Sequence, residues 1–147
     1  MRRIRFLVPA AAFAFALAAC GDSDEAGTPS APDSLVQFAF GLHGQPLGSS
    51  RFVAATGDAM VLEKARGELA LPAFQRRLHI HGPLASGDGD HNQGWSWHFV
   101  PGEWDLVELS IELCDGTPRY VEDHLDEWVG QTFCPWSSYV LEELDAG

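Results

Sequence analysis

Apolar and polar side chains alternate with a period of two along several short stretches of this chain. That pattern commits much of it to β-structure, because only a strand sends successive side chains to opposite faces. Val36, Phe38 and Phe40 alternate with Gln37 and Ala39, and Trp95, Trp97 and Phe99 with Ser96 and His98. The most regular stretch is 106–114, where Val107, Leu109, Ile111 and Leu113 alternate with Glu108, Ser110 and Glu112. A strand is expected throughout it. Residues 51–55, 77–82 and 138–144 read as further strands, with Leu78 and Ile80 on one side of the second and His79 and His81 on the other. Gly44-Gln45-Pro46-Leu47-Gly48 supplies the turn of a hairpin between the first two strands.

Two stretches change to a helical period. Asp58 is placed to cap a helix to about Leu69, with Val61, Leu62, Ala65 and Leu69 on one face and Glu63, Lys64 and Glu68 outside. Thr117-Pro118 starts a second helix, with proline at its first position and Gly130 at its end. Val121, Leu125, Trp128 and Val129 form its buried stripe, and Glu122, Asp123, Asp126 and Glu127 its outer face. No internal repeat is present. The order ββα-βββ-α-β predicts an α+β domain, a mostly antiparallel sheet with two helices packed on it.

The start of the chain reads as an address. Arg2, Arg3 and Arg5 precede an apolar run from Phe6 to Ala19, and Leu17-Ala18-Ala19-Cys20 closes it. A basic segment, a short apolar run and small residues before a cut mark a secretory signal. The run is shorter than the ~20 apolar residues of a membrane span. Cysteine directly after Leu-Ala-Ala matches the bacterial lipobox, so Cys20 is expected to carry a diacylglyceryl group. The expected organisation is a signal peptide over 1–19, a lipidated cysteine and disordered tether over 20–34, and one domain over 35–147. The tether reads GDSDEAGTPSAPDS, with no large apolar side chain. Localisation follows: an extracytoplasmic lipoprotein, anchored through Cys20 to the outer face of the cell membrane or in the periplasm or outer membrane.

The full chain has 9 basic and 21 acidic residues. The three signal arginines leave with the signal, so six basic residues face 21 acidic ones, a net charge of −15. From Glu103 onward Arg119 is the single basic residue against twelve carboxylates. Such a surface repels nucleic acid, which is excluded as a partner. It serves solubility, or attracts metal ions or basic partners. With Cys20 taken by lipid, Cys114 and Cys134 remain as the internal pair, and an oxidising compartment favours a disulfide. Closing that loop would stabilise the fold by roughly 3 kcal/mol.

A set of blocks in one order resembles a known family. Thr56, Asp58 and Ala65-Arg66 open it, followed by His79 with Gly82 and by Asn92-Gln93-Gly94-Trp95-Ser96-Trp97-His98. Ile111-Glu112-Leu113-Cys114-Asp115-Gly116, the run from Pro118 to Glu127, and Cys134-Pro135-Trp136-Ser137-Ser138 complete it. Over residues 38–144 the chain resembles the N-terminal domain of a slime-mould calmodulin-binding protein, the BP-seventy-four-type family. It departs at Trp97, where the family pattern has Phe, and is shorter after Gly130. The resemblance implies a shared fold and no established catalytic activity. It does not imply calmodulin as a partner. Calmodulin targets are basic amphipathic helices, whereas the helix after Thr117 has an acidic outer face and the one after Asp58 is nearly balanced.

Candidate chemistry rests on few residues. His79, His98 and Glu112 each fall on the polar side of a strand, within the blocks of the resemblance. If those strands are neighbours, two imidazoles and a carboxylate form a set that binds Zn²⁺ or Fe²⁺, with His81 as an added ligand. The alternative is a solvated face, or histidines that bond adjacent strands. Asp88-Gly89-Asp90-His91-Asn92 copies the start of an EF-hand loop, but Gln93 stands where glycine is needed and Phe99 where the bidentate glutamate belongs. His124 sits four residues from both Tyr120 and Trp128, as an aromatic ridge does. No nucleophile elbow frames Ser137 or Ser138. The expected function is a non-catalytic binding or interaction domain with no cofactor, and the alternative is a metal-dependent enzyme using His79, His98 and Glu112.

Overall fold

The computed structural model describes residues 34–145. Residues 1–33 and 146–147 lie outside the described residues, and with them the signal segment, Cys20 and all but the end of the tether. Strand β1 (Val36–Leu42) lies between β2 (Phe52–Thr56) and β7 (Ser138–Leu144), antiparallel to both. Its alternation places Phe38 and Phe40 on one face. Ala39, equally buried, is small enough for the other face to be covered too. A short helix, α1 (Leu47–Ser50), fills the connection to β2 where the sequence suggested a turn.

Helix α2 (Ala59–Leu69) begins as its cap predicts, with Asp58 Oδ1 accepting from the Met60 and Val61 amides at 2.8 and 3.1 Å. It buries Val61 and Ala65. Glu68, expected outside, is buried instead and accepts from the Leu78 amide at 3.1 Å. One carboxylate thereby satisfies a backbone donor that no strand reaches.

A second antiparallel sheet is built on β3 (His79–Ser86). β5 (Asp105–Val107) pairs with it at His79–His81, β6 (Thr132–Phe133) at Gly82 and Pro83, and β4 (Trp97–Phe99) at Leu84–Ser86. The strands therefore form two small sheets, where one was expected, and the α+β class holds. Glycine is required at position 82, because a Cβ there would lie 2.5 Å from Trp104 Cβ.

The two sheets share one aromatic core. Phe52 stacks on Phe40 within the first sheet at 5.3 Å and meets Trp97 and Phe99 of the second at 5.7 and 5.8 Å. Polar braces cross the same junction. Asn92 is 1% exposed, accepts from the Val53 amide at 2.7 Å and donates to the Trp97 carbonyl at 2.8 Å. The Trp104 indole donates to the Ala55 carbonyl at 2.8 Å, and the Ile80 amide to Ser138 Oγ at 3.2 Å. Backbone groups that a continuous sheet would pair are thus paired by side chains.

Two expected elements are corrected. The strand over 106–114 stops at Val107, which pairs with His79 at the very start of β3. Past Val107 the chain runs beyond the end of its neighbour and has no ladder to join. Residues Glu112–Cys114 turn instead as a 3₁₀ helix. The single helix expected over 117–130 is two, α3 (Pro118–Asp123) and α4 (Leu125–Trp128). At the break, His124 Nδ1 bonds the Tyr120 carbonyl at 2.8 Å, and the His124 amide bonds Val121 at 3.1 Å. The ring takes the acceptor that an α-helical amide would use, so the turn tightens. Val129, expected within the stripe, is exposed. Among the described residues no helix is long and apolar enough to cross a membrane.

Candidate functional site

The break in the alternating stretch leaves apolar side chains exposed. Leu109, Ile111 and Leu113 are 88, 68 and 89% exposed. Ile111 and Leu113 edge one pocket and Leu109 another, and all three side chains stand largely in water. A pocket of about 400 Å³ is lined by Ile111 and Leu113 together with Tyr120, Glu127 and Trp128. Tyr120 stacks on His124 at 4.1 Å and meets Trp128 edge-on at 6.3 Å, the aromatic ridge that the helical spacing suggested. Cys114 ends the segment. It stands at disulfide distance from Cys134, with Cα atoms 5.0 Å apart, within the range a bridge requires.

On the other side of the segment, Ser110 faces His79. The His79 ring is buried, and its Nε2 shares a hydrogen bond of 2.7 Å with Ser110 Oγ. A smaller pocket of about 250 Å³ opens there, with Arg77, Glu108, Leu109 and Trp136 around the pair. Burial lowers the His79 pKa below the ordinary histidine value; His81 adds to the lowering and Asp115 opposes it. The imidazole is therefore held neutral at neutral pH. Its geometry fits a histidine that pins an irregular segment to the edge of β3.

The structure does not bring the expected metal trio together. His79 stands opposite Val107, and His98 opposite Ala85, at the two ends of β3. Six residues of strand separate those positions, about 20 Å at ~3.3 Å per residue. His81 stands opposite Asp105, near His79 and away from His98. Glu112 lies in the 3₁₀ turn rather than on a strand, and its side chain lies outside the described residues. Among the described residues no group of three or more His, Cys, Asp or Glu is arranged to hold a metal ion. The premise that failed is adjacency: β4 and β5 do not lie side by side but pair with different halves of β3.

The loop before β4 is polar, as its departures from the EF-hand pattern indicated. Asp88 Oδ1 accepts from the Asp90 amide at 3.1 Å, and Asn92, which an EF-hand would use as a ligand, is spent on the core. His98 Nδ1 bonds the Gly87 carbonyl at 2.8 Å. Ser138 is buried as an acceptor for Ile80, which removes it as a nucleophile. Trp97 fills the core. Trp95 is only half-buried and donates to the Arg51 carbonyl at 2.9 Å. Two residues of the site escaped the sequence reading. Ser110 was visible only as a strand position, and His91 only as one letter of a calcium-like loop.

The family model of the BP-seventy-four N-terminal domain matches residues 36–147, from the first residue of β1 through both sheets. No curated protein and no solved structure matches.

Proposed function

The chain belongs to the BP-seventy-four N-terminal domain family, and from that premise we propose that it is a membrane-tethered extracytoplasmic lipoprotein whose domain binds a ligand without catalysis. The observation that carries the reading is the exposed Ile111 and Leu113, which line the Tyr120–Trp128 pocket, with the equally exposed Leu109 in the same segment. Contiguous apolar surface on a soluble domain is characteristic of interaction sites, because it is unfavourable in water until a partner covers it. The lipobox at Leu17-Ala18-Ala19-Cys20 and the polar tether behind it support the anchor. The acidic surface supports a domain that does not bind nucleic acid, and acidic helix faces argue against calmodulin. The metal-dependent alternative on His79, His98 and Glu112 gains nothing from the strand register, which parts the two histidines.

Two measurements test the reading. Cys20→Ser should move the protein from the membrane fraction to the soluble exported fraction, and retention in the membrane would refute lipid anchoring. A photo-crosslinking residue at position 111 should give a discrete adduct in intact cells that Leu109→Glu and Leu113→Glu abolish. Absence of any adduct from positions 109, 111 and 113 would remove the binding surface.

A further inference from the structure

The loop between β3 and β4 and strand β4 itself each contribute one histidine to a pair that neither the core nor the apolar surface uses. Asn92 anchors this loop by its bonds to Val53 and Trp97, so the residue before it is held in place. That residue, His91, is 8% exposed. Its Nδ1 lies 2.6 Å from the Gly89 carbonyl. A carbonyl only accepts, so Nδ1 carries the proton and Nε2 is left with a bare lone pair. Nε2 is buried and has no hydrogen-bond partner among the described residues. Leaving such a group unpaired forfeits its hydration with nothing in return.

His98 repeats the arrangement. Its Nδ1 lies 2.8 Å from the Gly87 carbonyl, which by the same logic leaves its Nε2 bare. The two rings meet edge to face, with centroids 5.5 Å apart. Gly89 lies against both: a Cβ there would fall 2.7 Å from His98 Cδ2 and 2.9 Å from His91 Cε1, and its φ is +60°. The backbone is thus shaped around the pair, with Asp88 and Asp90 in the same turn.

An imidazole whose Nδ1–H is fixed by a carbonyl and whose Nε2 is free is the state in which histidines ligate metals. We propose that His91 and His98 bind one divalent transition-metal ion of the copper–zinc class through their Nε2 atoms. Imidazole favours these ions over calcium and magnesium, which take oxygen ligands. No third His, Cys, Asp or Glu among the described residues joins them on one ion. Water therefore fills the remaining positions, and the protein supplies two ligands rather than the four of a closed structural site. Asp88 and Asp90 add negative charge near the ion without being required as ligands. The inference is independent of the apolar docking surface, which lies on other residues.

The test titrates the full chain, purified in detergent and stripped with EDTA, with Cu²⁺ alone. Paramagnetic resonance should show one bound ion with hyperfine structure from imidazole nitrogens. His98→Gln and His91→Gln should each weaken binding by at least about tenfold, since losing only an outer-shell partner of a metal ligand costs about 10–100-fold. His79→Gln and His124→Gln should leave it unchanged. His98 is the more exposed of the pair, so His98→Gln keeps the test decisive even if His91→Gln fails to fold, and thermal melts in EDTA report on folding separately. The proposal is overturned if no saturable binding occurs, or if the folded His98→Gln protein binds as tightly as the parent chain.

Discussion

Strand β1 and the stretch 106–114 carry the same alternation and meet opposite fates. In β1, Phe38 and Phe40 are fully buried and both edges of the strand are paired. In the second stretch, pairing ends at Val107 and the next three apolar side chains stand in water. A period of two states which side chains share a side; it does not state that anything covers that side. Cover comes from distant chain. β1 receives it from β2, β7 and the aromatic residues of the other sheet, whereas the second stretch outruns β3. The first region consequently holds the fold, and the second is left uncovered.

The comparison breaks most readily at Phe38. Phe38→Ala removes a fully buried ring from β1 and should cost about 3–5 kcal/mol, since lost burial and the residual cavity add. A urea midpoint series reads this directly. A loss under about 1 kcal/mol would mean that the first region is no more essential than the second.

Next in size is the pair of cysteines that closes the second region. Their sequence separation of 20 residues corresponds to about 3 kcal/mol of loop-closure entropy. Replacing Cys114 and Cys134 together by Ala should lower stability by about that amount, and a reductant should no longer affect the melting of the variant. Peptide mapping without reduction should find the two linked in exported protein, and free thiols at both positions would refute the bridge. The region is thus tied down at its end while its apolar side chains remain uncovered.

Asn92 tests the polar side of the first region. Asn92→Ala leaves the Val53 amide and the Trp97 carbonyl without their partner in the interior, for a cost of roughly 2 kcal/mol. Asn92→Asp should restore part of the stability, because a carboxylate still accepts from Val53 while losing the bond to Trp97. Equal stability of the parent chain and Asn92→Ala would show that the sheets hold together by apolar packing alone.

What the sequence made legible follows the range of each interaction. The Asp58 cap, the proline at position 118 and the alternation of β1 are local, and all appear as read. The proximity of Cys114 and Cys134 followed from counting cysteines in a chain whose start reads as a secretory signal. The end of β5 was not legible, because it depends on where β3 begins 28 residues earlier, at His79. The break at His124 depends on a ring that competes for one carbonyl. The metal reading grouped His98 with His79 and Glu112, whereas the ring beside His98 is that of His91. A single sequence carries the side of a strand on which a histidine lies, but not the order of the strands. His91, in the loop, lies beside His98, and His79 stands at the other end of β3.

The smallest expected effect is the sharpest test of the comparison. Leu109 and Leu113 are 88 and 89% exposed, so their side chains hardly leave water when the chain folds. Truncating either to Ala removes almost no burial, and stability should change by no more than about 0.5 kcal/mol, the range of ordinary surface substitutions. Ile111, at 68%, keeps slightly more contact, and Ile111→Ala should cost a little more than the other two. The order Ile111 above Leu109 and Leu113, all far below Phe38, is the outcome to look for in denaturant titrations of the monomer. A cost above about 2 kcal/mol at Leu109 or Leu113 would show that these side chains are covered within the folded chain. They would then be core rather than docking surface, and the alternation of 106–114 would have meant what it means in β1.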